Sequence, residues 1–202
     1  MEGGVMKKKV VVLGAGFGGY NVVKQLEKSR DLSVTLIDKC NHNVFQPMLY
    51  QVATGFIPIT NVAIPLRAIL KKKTQFINDE VHEIDFINKK VTGNKFSAHY
   101  DYLVIALGSR YFYFGHQEWY KNTISLKTAH DAIKMKNRIL HMFELAEFEN
   151  NKELKQKLLT FTVIGGGATG VEICGSISDL INSKFLSKFN NIKKKDISII
   201  LI

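Results

Sequence analysis

Two glycine-rich turns carry the most legible chemistry in this chain: Gly14-Ala15-Gly16-Phe17-Gly18-Gly19 and Gly165-Gly166-Gly167-Ala168-Thr169-Gly170. Each follows a short apolar run and opens a helical pattern. Such a turn brings backbone N–H groups against a pyrophosphate. Its first glycine permits the bend, its second lets the phosphate approach without meeting a Cβ, and its third lets helix and strand pack closely. The positive end of the helix dipole then faces the anion. Asp38 follows Gly19 by 19 residues, near the spacing of ~20 at which an acid accepts hydrogen bonds from an adenosine ribose. A glycine-rich turn without a ligand is the bland alternative; the flanking strand and helix and the spaced acid favour a nucleotide. Two such turns far apart suggest two dinucleotides held face to face, the layout needed to pass a hydride from one cofactor to another. Glu172 lies two residues past Gly170, on the first turn of the second helix. A carboxylate there either gains from the helix N-terminus or faces the nicotinamide end of a bound cofactor.

The elements that must hold these turns follow from apolar periodicity. Residues 9–13 read as a buried strand, 17–28 as a helix with Tyr20, Val23 and Leu26 inward, and 33–38 as a second strand ending in the acid. This is the mononucleotide-binding half of a Rossmann-type fold. Residues 39–60 read as a loop, 64–72 as a short helix, 74–92 as brief strands joined by tight turns, and 102–107 as another buried strand. Residues 128–148 read as a long helix with Thr128 as N-cap and Asp131 as first-turn acid. A second unit then runs through a strand at 161–164, a helix at 168–181 and a strand at 197–202. The fold class is α/β, with two Rossmann-like dinucleotide-binding units, the second incomplete.

Composition excludes more than it selects. No apolar run approaches the ~20 residues that span a bilayer as a helix. The first 13 residues imitate a secretory leader, but their apolar stretch is short and runs straight into the glycine turn, so they read as the first strand. The formal charge is +10, with lysines clustered at 7–9, 71–73 and 193–195. Attraction to an anionic membrane surface is one reading. Solvated loops are favoured, because no cluster lies on an amphipathic helix with bulky apolar anchors. No aromatic-basic platform accompanies the charge, so nucleic acid is not an expected partner. The two cysteines, Cys40 and Cys174, form no CxxC or CxxxxC pair, which fits a reducing compartment and argues against a disulfide framework. Phe45 stands where a CxxxxC partner of Cys40 would be. The six histidines lack ligand spacing, and no metal site is expected.

The stretch Asn41-His42-Asn43-Val44-Phe45-Gln46-Pro47-Met48-Leu49-Tyr50-Gln51-Val52-Ala53-Thr54-Gly55 resembles the signature loop of type II NADH dehydrogenases. These are non-pumping, FAD-containing NADH:quinone oxidoreductases of the pyridine nucleotide-disulfide oxidoreductase superfamily. Residues 163–172 resemble their second turn, and Ala106-Leu107-Gly108 is similar to their strand-end FAD contact. The resemblance covers nearly the whole chain and matches the N-terminal half or so of a complete member. It implies that residues 14–18 hold the FAD pyrophosphate, with Gly19 closing the turn, and that Asp38 and Lys39 hold the adenosine side. It places the Val81 backbone on the adenine, Phe45, Gln46 and Pro47 near the isoalloxazine, and Ala106, Leu107 and Gly108 along the FAD. Gly165, Gly167 and Gly170 would hold the NADH pyrophosphate. Glu172 is the candidate catalytic residue at the flavin–quinone junction. For Phe45 and Tyr50 the bland reading is a covering role in the loop.

The resemblance further implies FAD as cofactor and NADH and a quinone as partners. It implies a peripheral place on the cytoplasmic side of the cell inner membrane, reached through a C-terminal region, and admits a homodimer. The expected domains are 1–112, an FAD-binding domain lacking its C-terminal strand, and 113–202, the first part of an inserted NAD(P)H-binding domain. In the family, a later acid for the flavin ribityl chain, a later Gln-bearing quinone segment and an amphipathic tail complete the protein; none lies within these 202 residues. The position that separates NADH from NADPH is expected just past Ile202. Two alternatives stand beside this reading: a sulfide:quinone oxidoreductase-like flavoprotein working through Cys40 or Cys174, and a fragment that is inactive by itself.

Overall fold

The computed structural model describes residues 6–202, so positions 1–5 of the leader-like stretch lie outside the described residues. In chain order the elements are β1 (Lys8–Leu13), α1 (Phe17–Leu26), β2 (Leu32–Asp38), β3 (His42–Val44), α2 (Leu49–Ala53), β4 (Ala63–Pro65), α3 (Leu66–Ile69), β5 (Gln75–Asn78), β6 (Val81–Asp85), β7 (Lys90–Gly93), β8 (Ser97–His99) and β9 (Tyr102–Ile105). There follow α4 (Ala129–Phe148), α5 (Lys152–Leu158), β10 (Thr160–Val163), α6 (Ala168–Asn182) and β11 (Ser198–Leu201). The chain divides into two compact units: Met1–Phe45 with Ala63–Phe112, and Gln46–Val62 with Tyr113–Ile202.

The first unit is built on a parallel sheet of order β5-β2-β1-β9. Val10, Val11, Val12 and Leu13 of β1 are all buried, as a central parallel strand covered on both faces requires. Successive side chains alternate between faces. Val10 and Val12 pack with Val34, Leu36 and Phe76 beneath Val23 of α1 and Leu66 of α3. Val11 and Leu13 pack with Ile37 against Val91 and Tyr100, which cover the other face. That cover includes the antiparallel sheet β6-β7-β8. Each such buried Val or Leu contributes about 1.5–3 kcal/mol relative to exposure.

Several expectations need correction. Residues 102–107 read as a buried strand, but β9 stops at Ile105 and is an edge strand. With a neighbour on one side only, its Tyr102 is 58% and its Ile105 54% exposed. The stretch 39–60 is not loop throughout: it holds β3, a 3-10 turn at Gln46–Met48, α2, and a second 3-10 turn at Ile59–Asn61. The helix expected at 64–72 shrinks to Leu66–Ile69. Pro65 disfavours helical backbone at Ile64 before it, so 63–65 pairs instead with β3. Helix α1 ends at Leu26 rather than 28. Just beyond it the buried Glu27 turns its carboxylate on the Lys71 amide at 2.9 Å and the Thr74 hydroxyl at 2.7 Å.

The second unit has a two-stranded parallel sheet, β10 paired with β11. Three longer helices serve it. Thr128 caps α4 through a reciprocal box with Asp131, which places that helix start where the sequence puts it. Asn151 caps α5 by accepting from the Glu153 and Leu154 amides; no helix is expected there from the sequence. The core gathers Phe161, Phe185 and Phe189 around the fully buried Phe143, at centroid distances of 5.7, 5.1 and 5.6 Å. Ile200 and Leu201 of β11 are each 43% exposed.

Candidate nucleotide-binding site

The two glycine turns are built alike. Gly14 (φ +94°) and Gly165 (φ +104°) sit in the left-handed region that L side chains avoid. Each donates its amide to the end of the neighbouring strand: Gly14 to Ile37 at 2.8 Å, Gly165 to Ile202 at 2.7 Å. A Cβ on Gly19 would overlap the Gly14 carbonyl oxygen, and one on Gly170 would overlap the Gly165 carbonyl oxygen. The third glycine of each turn is therefore demanded by backbone packing. The middle positions differ: Gly16, Gly18, Gly166 and Gly167 face open space where a Cβ would stand.

Both helices begin without a side-chain cap, Gly16 preceding α1 and Gly167 preceding α6. Helices α4 and α5, by contrast, are capped by Thr128 and Asn151. A helix leaves its first amides without intrahelical partners, so the two glycine turns present donors that no capping side chain takes up. A pyrophosphate fits this donor set in charge and in shape.

Around the first turn the structure brings together most of the residues expected there. Asp38, at the end of β2, accepts the Ala15 amide at 2.6 Å through Oδ2 and the Cys40 amide at 2.7 Å through Oδ1. A carboxylate oxygen has a second lone pair, so these bonds position the acid and leave each oxygen able to accept from a ribose hydroxyl. The Asn43 side chain donates to the Ala15 carbonyl at 2.7 Å, fastening β3 to the turn. Phe17 and Phe45 lie 6.3 Å apart between centroids and are 67% and 43% exposed. The Ala106 amide bonds Leu13 at 2.8 Å, and its carbonyl closes on Gly14. Leu107 follows, 63% exposed, and then Gly108 at φ +73°. The Asp79 amide donates to the Asp38 carbonyl at 3.0 Å, and Lys39 pairs with Glu80 at 3.3 Å. These contacts bring the start of β6, and with it Val81, to the end of β2.

Gln46 and Pro47, expected with the same cofactor, fall in the second unit. Gln46 Nε2 donates to the Lys127 carbonyl at 3.3 Å. Glu172 is exposed on α6, two residues past the turn, and its side chain makes no hydrogen bond or ion pair among the described residues. Sequence reasoning missed Asn43 as a turn-fastening residue, and it missed the hydroxyl pair Thr54–Ser176, at 2.6 Å and 122 residues apart. No local pattern announces a bond of that span.

Burial pushes the Cys174 thiol up from its ordinary value. Desolvation and then the Asp38 carboxylate push Cys40 up, outweighing Lys39. A raised pKa means less thiolate, the nucleophilic form. Among the described residues no group of three His, Cys, Asp or Glu side chains gathers as a metal cage would need.

Comparison with known proteins agrees with this geometry. A type II NADH:quinone oxidoreductase of Mycobacterium tuberculosis is 37% identical over 97% of this chain, which spans 43% of that relative. The mitochondrial external NADH-ubiquinone oxidoreductase 2 of Saccharomyces cerevisiae is 31% identical over 98% of the chain, spanning 38% of the relative. The structure of NDH2 from Plasmodium falciparum in complex with NADH is similar with a TM-score of 0.88 and 29% identity, over 96% of this chain and 41% of that one. The chain thus spans less than half the length of these relatives. The profile of the pyridine nucleotide-disulphide oxidoreductases matches residues 8–195, both turns included, and the chain belongs to that family.

Proposed function

We propose that this chain supplies the FAD-binding face and the first part of the NADH-binding face of a type II NADH:quinone oxidoreductase. The observation that carries the reading is the duplicated turn, in which a left-handed glycine, a backbone-packed third glycine and an uncapped helix recur at 14–19 and at 165–170. The likeness to the M. tuberculosis and P. falciparum proteins supports reading the two turns as dinucleotide sites. When bound, FAD supplies the redox chemistry, as a two-electron acceptor for NADH and donor to a quinone.

The chain's own residues bind and orient. The amides at the start of α1 take the FAD pyrophosphate, and Asp38 with Lys39 takes the adenosine. The Val81 backbone meets the adenine, and Ala106, Leu107 and Gly108 run along the cofactor. Phe45, Gln46 and Pro47 border the isoalloxazine. Gly165, Gly167 and Gly170 receive the NADH pyrophosphate, and Glu172 faces substrate as a free carboxylate at the head of α6. In domain terms, residues 1–112 serve FAD and 113–202 begin the NADH-binding domain, with Gln46–Val62 packing in the second compact unit.

The raised pKa values of both lone cysteines favour this reading over a sulfide-oxidising one. A quinone acceptor is apolar, so the reading carries a peripheral membrane location; with it go the cytoplasmic side and a second copy as dimer partner for the whole protein. Among the described residues no helix is long and apolar enough to cross a membrane. The test is NADH oxidation by the full-length, FAD-loaded protein with a soluble quinone. Turnover is expected; flavin bound without any NADH-dependent quinone reduction sinks the proposal.

A further inference from the structure

Few polar side chains are buried among the described residues, and two of them, Thr54 (3% exposed) and Ser176 (5%), bond to each other. The proton order follows from donor counting. A hydroxyl has one proton to give. Thr54 Oγ1 donates to the Tyr50 carbonyl at 2.9 Å. Its remaining capacity is to accept, so the Ser176 hydroxyl donates to Thr54 Oγ1 across 2.6 Å. This order leaves neither hydroxyl unsatisfied, and no buried side-chain polar atom among the described residues lacks a partner.

The pair joins two pieces of the second unit that matter to its chemistry. Thr54 is the C-cap of α2, in the segment that begins with Gln46 and Pro47. That segment is held at its other end by Gln46 on the Lys127 carbonyl, just before the Thr128 cap of α4. Ser176 lies one turn beyond Glu172 on α6, the helix that starts at the second glycine turn. A buried hydroxyl bond has no water to compete with it, and breaking one side leaves an unsatisfied polar group.

We propose that the relay Ser176 to Thr54 to the Tyr50 carbonyl is a positioning device. It fixes segment 46–54 against α6, so that the second glycine turn and Glu172 keep a set relation to Gln46 and Pro47. The inference deepens the proposed function and rests on it for the nucleotide's identity, not for the mechanical link. Thr54 and Ser176 touch no reacting atom; they act through the elements they join.

The test uses T54V, S176A, the double variant and the conservative T54S in the FAD-loaded protein. Hydrogen exchange of peptides covering 46–55 and 165–177 is read beside the NADH dissociation constant. T54V and S176A are each expected to speed exchange in both peptides by about tenfold, and T54S to restore it. NADH binding weakens about three- to tenfold in T54V and S176A, and the double variant is no worse than either single one. Exchange that rises only in the substituted peptide overturns the device, as does unchanged NADH affinity where exchange has risen in both. If the unsubstituted protein binds no NADH, the functional reading falls, and exchange alone decides the link. Should T54V fail to fold, S176A carries the same comparison.

Discussion

At single positions the two glycine turns make opposed forecasts from the same residue type. G19A places a Cβ on the Gly14 carbonyl and should cost about 2–3 kcal/mol in a denaturant titration, because backbone cannot move aside. G18A meets open space inside the first turn of α1. It should leave the fold as stable or up to ~1 kcal/mol more so, while weakening flavin binding if a phosphate uses that space. Equal stability losses in the two variants would sink the close-packing account. D38N keeps one carbonyl acceptor where two carboxylate oxygens now hold the Ala15 and Cys40 amides. It should cost about 2 kcal/mol in the first unit, read as a lower unfolding midpoint. The distance from Gly19 to Asp38 makes the acid's place legible in the sequence. Its grip on the Ala15 amide is not, since spacing says nothing of which backbone group a carboxylate meets.

Elements were legible in proportion to their length and regularity. The β1-α1-β2 run and α4 could be drawn from periodicity and from one N-cap. Helix α2 has five residues, α5 seven and β8 three, too few for a period to declare itself. The α2 segment, moreover, is held by a partner distant in the chain, Ser176. Capping offers a direct check, for T128A should lower stability by about 1 kcal/mol in chemical denaturation. Asp79 offers a check by pH. Its carboxylate accepts the Lys95 amide at 2.7 Å, the Glu80 amide at 2.8 Å and the Asn94 side chain at 3.1 Å. The Lys95 bond foremost holds its pKa below the ordinary 3.8. A carboxyl whose folded pKa is depressed adds stability above its unfolded value and loses it as pH falls through the folded one. D79N should therefore be the weaker protein at neutral pH and converge with the parent as pH falls through the folded pKa, below the ordinary 3.8. Curves that stay parallel would show that the bonds to Asp79 carry no linkage.

For the whole molecule, the apolar surface on β11 and its surroundings sets an expectation for the 202-residue chain purified by itself. Ile164, Ile200, Leu201 and Ile202 are between 43% and 68% exposed, on or just past the two strands of a sheet with unpaired outer edges. Such an edge invites association with another chain. The isolated chain should sediment as concentration-dependent assemblies and hold FAD weakly; a yellow monomer with stoichiometric flavin would contradict this. Connectivity adds one more consequence. The polypeptide passes from one compact unit to the other at Phe45–Gln46, returns at Val62–Ala63, and leaves again after Phe112. Three covalent bridges, rather than one tether, join the units. A protease nick after Phe112 would free neither half, and a gene trimmed to start at Tyr113 would encode a body missing an internal rib, with Leu49, Val52 and Ala53 taken from its interior.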